Sequence, residues 1–294
     1  MRSNTKRFLI GSDAELMLLY RGKAAPFEGN IKDFFGLDGA TGYNRIAEIR
    51  VPATENPIEM ANAIREVFRN KISKHPKTLN YDWRAGSFCL YGLGGHIHQG
   101  VSRKDVDYTF ASRVIANYLG SISLLLEDSD GAYKRRNNND GEHFYGHLTD
   151  VREKQYGFEN RCFSSWLVSP AVATAHLCLA KVIMYELLNN SSFSPVERFT
   201  DSDFKKVNKE KILKHFDQIW KEISEMSLFK EYKEYLNLFP FLVKNNLSWF
   251  SRSESGGIAD LKLTWGLAGN EPRSPVSQIE LKHIWGNEQV AGIF

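Results

Sequence analysis

Gly92-Leu93-Gly94-Gly95-His96-Ile97-His98-Gln99-Gly100 is the stretch around which the rest of the sequence is organised. The preceding run, residues 87–91, predicts a β-strand that continues into it, and side chains two positions apart in a strand point to the same face. His96 and His98 would then share one face, while Ile97 faces an apolar interior. Paired histidines flanked by glycines suit a metal, or one metal and one phosphate group. The alternative is a glycine-rich hairpin whose histidines are only hydrogen-bonded.

The composition indicates a globular protein. The chain has 294 residues, 42% of them hydrophobic and 13% aromatic, which is enough for a sizeable core. A formal net charge of +3 admits anionic ligands such as nucleotides without indicating nucleic-acid binding. Cys89, Cys162 and Cys178 have no CxxC spacing, which favours reduced thiols in a cytoplasmic compartment. The apolar run at 8–10 is too short for a signal peptide, and no stretch reaches the roughly 18 apolar residues of a membrane span.

Carboxylates at strand spacing precede the histidine stretch. Asp13 and Glu15 follow a short apolar run, and they share a face if that strand continues. Glu48 and Arg50 alternate with apolar residues in a second strand pattern. Strand-borne carboxylates suit a hard divalent cation such as Mg²⁺ or Mn²⁺, which takes oxygen ligands. The alternatives are a solvated strand end for the first pair and a half-exposed ion pair for the second.

Basic residues gather further along the chain. The segment 134–141 is basic and rich in turn-forming residues, and it is predicted to be a loop. Glu159 then stands two residues before an arginine, again at strand spacing. Guanidinium groups in this region suit phosphates and a carboxylate, and the alternative is a solvated basic loop. The four candidates are Arg135, Arg136, Arg152 and Arg161.

Apolar periodicity gives the expected elements. The predicted strands cover 8–19, 46–51, 87–99 and 156–164, and the predicted helices cover 57–72, 107–126 and 170–188. Lys- and Glu-rich amphipathic helices are predicted between 200 and 245. We therefore expect a core over 1–195 and a helical extension over 196–294, with short terminal strand segments, that packs on the core as part of one domain. No Walker-type phosphate loop, GxSxG or HExxH motif is present.

Five acidic and basic pieces occur in a fixed order. They are Gly11-x-Asp13-x-Glu15, then Asp38-Gly39 with Glu48-x-Arg50, Gly94-Gly95-His96-x-His98-x-Gly100, Arg135-Arg136 with Tyr145-Gly146, and Gly157-x-Glu159-x-Arg161. This order resembles the glutamine synthetase and glutamate–cysteine ligase superfamily, and it is most similar to the phage-type carboxylate–amine ligases, or amidoligases. The resemblance covers residues 8–188.

The resemblance implies an α+β fold, in which a curved, mainly antiparallel sheet carries the active site on its concave face and helices on the other. It also implies an ATP-dependent ligase that forms an amide or peptide bond through an acyl phosphate, with Mg²⁺ or Mn²⁺ around the ATP phosphates. The implied metal ligands are Asp13, Glu15, Glu48, His96 and Glu159. The implied nucleotide-binding residues are His98, Arg136 and Arg152. The implied catalytic arginines are Arg135, Arg136, Arg152 and Arg161, of which Arg161 would hold the substrate carboxylate or the transferred phosphate.

Two other functions are compatible with the same pieces. A guanidino-kinase-like phosphotransferase would use ATP without forming an amide, and a non-catalytic phage protein would retain a degenerate ligase fold. For the ligase, the expected partners are small-molecule or peptide carboxylates and amines in the cytoplasm, which is the host cytoplasm for a phage protein. A homo-oligomer is left open, and neither nucleic acid nor a membrane is expected.

Overall fold

The computed structural model describes residues 5–24, 46–73, 80–137, 146–247 and 258–267. Within these ranges, antiparallel strands form one large sheet. The described strands are β1 (Leu9–Tyr20), β2 (Lys23–Ala24), β3 (Ile46–Arg50), β4 (Asp82–Gly86), β5 (Phe88–Cys89), β6 (Tyr91–Gly92), β7 (Gly95–Gly100), β8 (Val151–Lys154), β9 (Gly157–Asn160) and β10 (Ile258–Asp260). Three pieces of sequence named above, Asp38-Gly39, residues 138–141 and Tyr145, lie outside the described residues.

The long strand β1 is the centre of the sheet. It pairs with β3 through residues 13–17, with β7 through residues 9–14 and with β4 through residues 17–19. Asp13 is paired with both β3 and β7, and Met17 with both β3 and β4, so β3 lies along one edge of β1 while β7 and β4 share the other. The main path of the sheet runs β10-β4-β1-β7-β9-β8, and β2 also pairs with β1.

The strand predicted over 87–99 is wrong in its first part. Phe88–Cys89 and Tyr91–Gly92 fold back on each other as a separate two-stranded hairpin. Leu90 between them has a φ of 62°, which reverses the chain. Only Gly95–Gly100 then joins the main sheet.

Alternation along β1 separates an apolar face from a polar face. Ile10, Ala14 and Leu16 are fully buried in the main core, whereas Asp13 and Glu15 project from the opposite face. Helices cover the apolar face. The helices within the described residues are α1 (Pro57–Glu66, continued by a π-helical segment at Val67–Ile72), α2 (Tyr108–Leu126), α3 (Ser129–Asn137), α4 (Pro170–Asn189), α5 (Asp201–Lys205), α6 (Lys209–Glu225), α7 (Phe229–Leu236), α8 (Leu238–Lys244) and α9 (Leu261–Thr264). The helices predicted over 57–72, 107–126 and 170–188 are confirmed, as is the α+β class with a large antiparallel sheet.

The helix α4 lies at the centre of the helical layer. It begins at Pro170, which is tolerated in the first turn, and the Ser169 hydroxyl accepts a hydrogen bond from the amide of Val172. It packs on α1 and on α7, so nearly all of its surface is buried. Phe216 of α6, Leu236 of α7 and other side chains after residue 195 belong to the same core cluster as the sheet. The boundary at residue 195 stays a prediction.

Two described helices are long and apolar enough to cross a membrane by length and composition. They are Tyr108–Leu126 and Pro170–Asn189, with 78% and 83% of the apolar window buried inside the fold. Burial of that extent is typical of core helices, which pass the same test.

Candidate active site

The strand register brings the polar side chains of five strands into one row. Residues paired directly in antiparallel strands project to the same face of a sheet. Asp13 pairs with Arg50 and His96, and Glu159 pairs with His98 and Arg152. From β3 to β8, the row therefore holds Glu48 and Arg50, Asp13 and Glu15, His96 and His98, Glu159, and Arg152.

His96 is surrounded by three buried carboxylates. Its Nδ1 atom lies 3.1 Å from Asp13 Oδ1 and 3.3 Å from Glu159 Oε1, and its Nε2 atom lies 4.0 Å from Glu15 Oε1. Its ring lies over Gly94, where a Cβ atom would come within 2.2 Å of Nε2, so the glycine gives the ring its place. Burial alone would lower the pKa of His96, but the three carboxylates raise it. The three carboxylates therefore make this part of the site attractive to positive charge.

The two carboxylates of β1 have opposite pKa shifts. Burial alone would raise the pKa of Asp13, but hydrogen bonds from His96 and His98 outweigh it and bring the pKa well below its ordinary value. Burial raises the pKa of Glu15 to about 6, although the charge of His96 and a hydrogen bond from the Gly94 amide oppose this rise. That amide donates to Glu15 Oε2 at 2.5 Å. Asp13 is therefore the more acidic of the two carboxylates.

His98 connects the row to a cavity. Its Nε2 atom lies 3.0 Å from Asp13 Oδ1 and its Nδ1 atom lies 2.8 Å from the Tyr156 hydroxyl. Asp13, His98 and Glu159 each offer a ligand atom, and these atoms lie within 4.8 Å of one another. Two carboxylates and an imidazole fit Mg²⁺ or, better, Mn²⁺. His98, which the sequence assigned to the nucleotide, is thus within reach of a metal as well.

Glu48 stands at the side of this cluster. It is paired in register with Glu15, and its carboxylate contacts the guanidinium of Arg50. Its negative charge contributes to the raised pKa of Glu15. The five predicted metal ligands therefore lie in one row. Asp13, Glu15 and Glu159 surround His96, and Glu48 lies beside Glu15.

Cations surround Glu159, which is fully buried. Its carboxylate is 3.4 Å from both Arg152 Nη1 and Arg161 Nε, and 2.8 Å from Lys154 Nζ. Arg152 and Arg161 were predicted from the sequence, and both lie at the site. Lys154 was missed. The signal that could have identified it is its position two residues after Arg152 in the same strand, which places both side chains on one face.

Arg135 and Arg136 belong to the helix α3 rather than to the strand row, although the charge of Arg135 still acts on Glu15 and opposes the rise in its pKa. Residues Ser129–Asn137 form the helix α3, where the sequence predicted a loop from 134 onwards. Arg135 donates its hydrogen bonds to backbone carbonyls, of Leu93 at 2.8 Å and Phe163 at 2.6 Å among others. Arg136 is ion-paired with Glu127 inside the protein. Their guanidinium groups are engaged in holding the chain, so we infer that both arginines support the fold, and the catalytic and nucleotide-binding roles that the resemblance implies for them stay predictions.

A cavity of about 500 Å³ opens beside Asp13 and His98. The residues that line it are Leu9, Gly11, Ser12, Asp13, Arg50, Val51, Ala53, His98, Gly100, Lys154 and Tyr156. Basic and apolar side chains line it together. Such a mixture suits an anionic ligand that also has an apolar part.

The chain matches a known protein family over most of its length. The family described as Phage phiEco32-like COOH.NH2 ligase-type 2 matches residues 10–267, and no curated protein sequence matches the chain. The ligase PafA, solved in complex with the prokaryotic ubiquitin-like protein Pup, has a TM-score of 0.52 at 8% identity, covering 88% of this chain and 67% of that one. At that identity the likeness shows a shared fold.

Two other solved structures are similar at a lower level. A glutamine synthase homolog has a TM-score of 0.46 at 15% identity and covers 85% of this chain and 68% of that one. A bifunctional glutathione synthetase from Pasteurella multocida has a TM-score of 0.45 at 12% identity, with coverage of 80% and 47%.

Proposed function

Because the chain belongs to this family of carboxylate–amine ligases and is a carbon–nitrogen ligase, we propose that it activates a carboxylate with ATP, as an acyl phosphate, and joins it to an amine. The proposed substrates are a small-molecule or peptide carboxylate and an amine. The observation that carries this proposal is the group of buried carboxylates Asp13, Glu15 and Glu159, which have oxygen atoms within 4.0 Å of the buried His96 imidazole. It is a donor set for the cations that accompany ATP.

The chemistry explains why such a site needs charge rather than a nucleophile. A carboxylate is a weak electrophile at neutral pH. Transfer of the γ-phosphoryl group of ATP to its oxygen releases ADP and gives an acyl phosphate, and attack by the amine then releases phosphate. Phosphoryl transfer depends mainly on positioning and on neutralisation of the phosphate charge. A protein nucleophile is not required, which agrees with the lack of a nucleophile motif in the sequence.

The carboxylates and His96 are the proposed ligands for Mg²⁺ or Mn²⁺. Asp13, Glu15 and Glu159 are buried around His96, and a low-dielectric surrounding strengthens their attraction for a cation. Glu48 adds negative charge at the side of the group. When bound, divalent cations neutralise the phosphate oxygens and stabilise the charge that develops during transfer.

The basic side chains at the row are the proposed contacts for the phosphates and the substrate carboxylate. Arg152 is 48% exposed, whereas Arg161 is 12% exposed and also faces Asp150. Both guanidinium groups lie against Glu159. Guanidinium groups bind phosphate and carboxylate oxygens in a bidentate manner. We assign Arg152 and His98 to the nucleotide phosphates, and Arg161 to the substrate carboxylate or the phosphate being transferred.

Hydroxylamine trapping tests this proposal. The protein is incubated with ATP, Mn²⁺, hydroxylamine and a panel of amino-acid and dipeptide carboxylates, because hydroxylamine converts an acyl phosphate to a hydroxamate. We expect ADP and hydroxamate to form in equal amounts. Binding of Mn²⁺ is measured separately by titration, which needs no substrate.

The variant Glu159→Gln and a matched control complete the experiment. Glu159→Gln should lower both Mn²⁺ affinity and hydroxamate formation by about a hundredfold, as expected for loss of a buried ionic ligand. Glu153→Gln should leave both unchanged, because Glu153 lies in the same hairpin but is exposed and paired with Arg103. ADP formation that does not depend on the carboxylate, or Mn²⁺ binding that survives Glu159→Gln, would contradict the proposal.

A further inference from the structure

The position of Lys154 is set by a tight hairpin. Lys154 ends β8 and is paired with Gly157 at the start of β9, so only residues 155 and 156 form the turn. Gly157 has a φ of 154°, and a Cβ atom there would lie 1.9 Å from the carbonyl oxygen of Gln99. The hairpin is therefore packed closely on β7. This packing holds the Lys154 ammonium at the site, 2.8 Å from Glu159 Oε2.

Four basic side chains lie around the single carboxylate of Glu159. Arg152, Lys154 and Arg161 all lie within 3.4 Å of its carboxylate oxygens, and His96 lies at 3.3 Å. A divalent cation bound by Glu159 would stand close to the Lys154 ammonium, and like charges at such separations repel strongly inside a protein. Metal binding and the Lys154–Glu159 ion pair therefore compete for the same carboxylate.

The Lys154 ammonium can also extend into the neighbouring cavity. It is 28% exposed, and its long stem allows the ammonium to turn away from the carboxylate. It also lines the cavity of about 500 Å³ that adjoins Asp13 and His98. Displacement from Glu159 would thus leave its positive charge in the cavity, beside the proposed metal ligands.

We propose that Lys154 is a phosphate-binding residue of this ligase, which the divalent cation displaces from Glu159 and which the nucleotide triphosphate then engages. This inference rests on the proposed function. Lys154 neutralises Glu159 in the metal-free protein and contributes a charged hydrogen bond to a phosphate oxygen once metal and nucleotide are bound. The order in which the ligands bind follows from this exchange, since the metal makes the ammonium available.

The test uses two binding measurements for which the proposal predicts opposite signs. Mn²⁺ affinity is measured by titration without nucleotide, and affinity for a non-hydrolysable ATP analogue is measured at saturating Mn²⁺. Lys154→Met should bind Mn²⁺ about tenfold more tightly, because a competing cation is removed. It should bind the nucleotide analogue about 10- to 100-fold more weakly, because a hydrogen bond between charged groups is lost.

Two further variants control for charge and folding. Lys154→Arg keeps the charge and should restore nucleotide binding to within about fivefold of the unmodified protein. Lys104→Met removes a charge from an exposed turn and should change neither affinity. The circular dichroism spectrum of each variant is recorded to show that it is folded.

Each outcome supports or overturns the inference. Weaker binding of both ligands by Lys154→Met would assign Lys154 to the fold, and tighter Mn²⁺ binding with unchanged nucleotide affinity would make it a counter-ion only; either result overturns the inference alone. Absence of Mn²⁺ binding in the unmodified protein overturns the proposed function and the inference with it. Opposite changes in the two affinities support both.

Discussion

Replacement of Arg136 by Met tests whether this arginine serves the fold. Arg136 and Glu127 are both 0% exposed. The guanidinium donates to the carboxylate at 2.9 and 3.2 Å and to the carbonyl oxygen of Gly146 at 3.0 Å. Burial alone would raise the pKa of Glu127, but the charge of Arg136 outweighs it and lowers the pKa below its ordinary value. Arg136→Met therefore leaves a buried, ionised carboxylate without its counter-charge.

The expected loss of stability follows from this burial. Removal of one partner of a buried ion pair costs about 3–5 kcal/mol, and neither group can turn to solvent to reduce that cost. We expect the free energy of unfolding in urea to fall by about 4 kcal/mol. Arg136→Met combined with Glu127→Leu should recover at least half of this loss, because apolar groups often replace a buried ion pair without penalty.

An exposed ion pair provides the matched control. Arg113 and Glu197 lie 2.6 Å apart, and each is 39% exposed, so Arg113→Met should cost less than about 1 kcal/mol. If Arg136→Met also cost less than about 1 kcal/mol while nucleotide binding decreased, the assignment of Arg136 to the fold would be refuted. The phosphate-binding role predicted from the sequence would then be correct.

Two further predictions concern histidines. His96→Ala should lower the number of Mn²⁺ ions bound in a titration, whereas His98→Ala should mainly raise the KM for ATP, by about 10- to 100-fold for the loss of a hydrogen bond to a charged group. Equal loss of metal in both variants would show that the two histidines ligate one ion. Burial lowers the pKa of His176 from 6.5 to about 3, so below pH 6.5 the unfolded chain binds a proton that the folded protein excludes. Stability should therefore fall with decreasing pH in this interval, by up to about 1.4 kcal/mol per pH unit from this group, and His176→Gln should reduce the slope measured by urea denaturation between about pH 6 and pH 4. An unchanged slope would show that His176 is not the group responsible.

The residue types of the site and their faces were predictable from the sequence. The spacing of Asp13 with Glu15, and of His96 with His98, needs only the two-residue period of a strand, and this period is local. The long helices were predictable for the same reason, because their apolar spacing extends over several turns. The order of the five pieces then led to the correct family and to an antiparallel sheet with helices on one face.

The mutual positions of these side chains depended on tertiary structure. Which residue of β9 faces His98 is decided by the register between strands about sixty residues apart, and no local pattern encodes it. The burial of Arg135 and Arg136 likewise depends on carbonyl groups and a carboxylate supplied by other segments. A basic run in a sequence has the same composition whether its charges are solvated or buried, because the partners that neutralise it lie elsewhere in the chain. The approach of Lys154 to Glu159 is decided in the same way, by a two-residue turn that packs against a neighbouring strand.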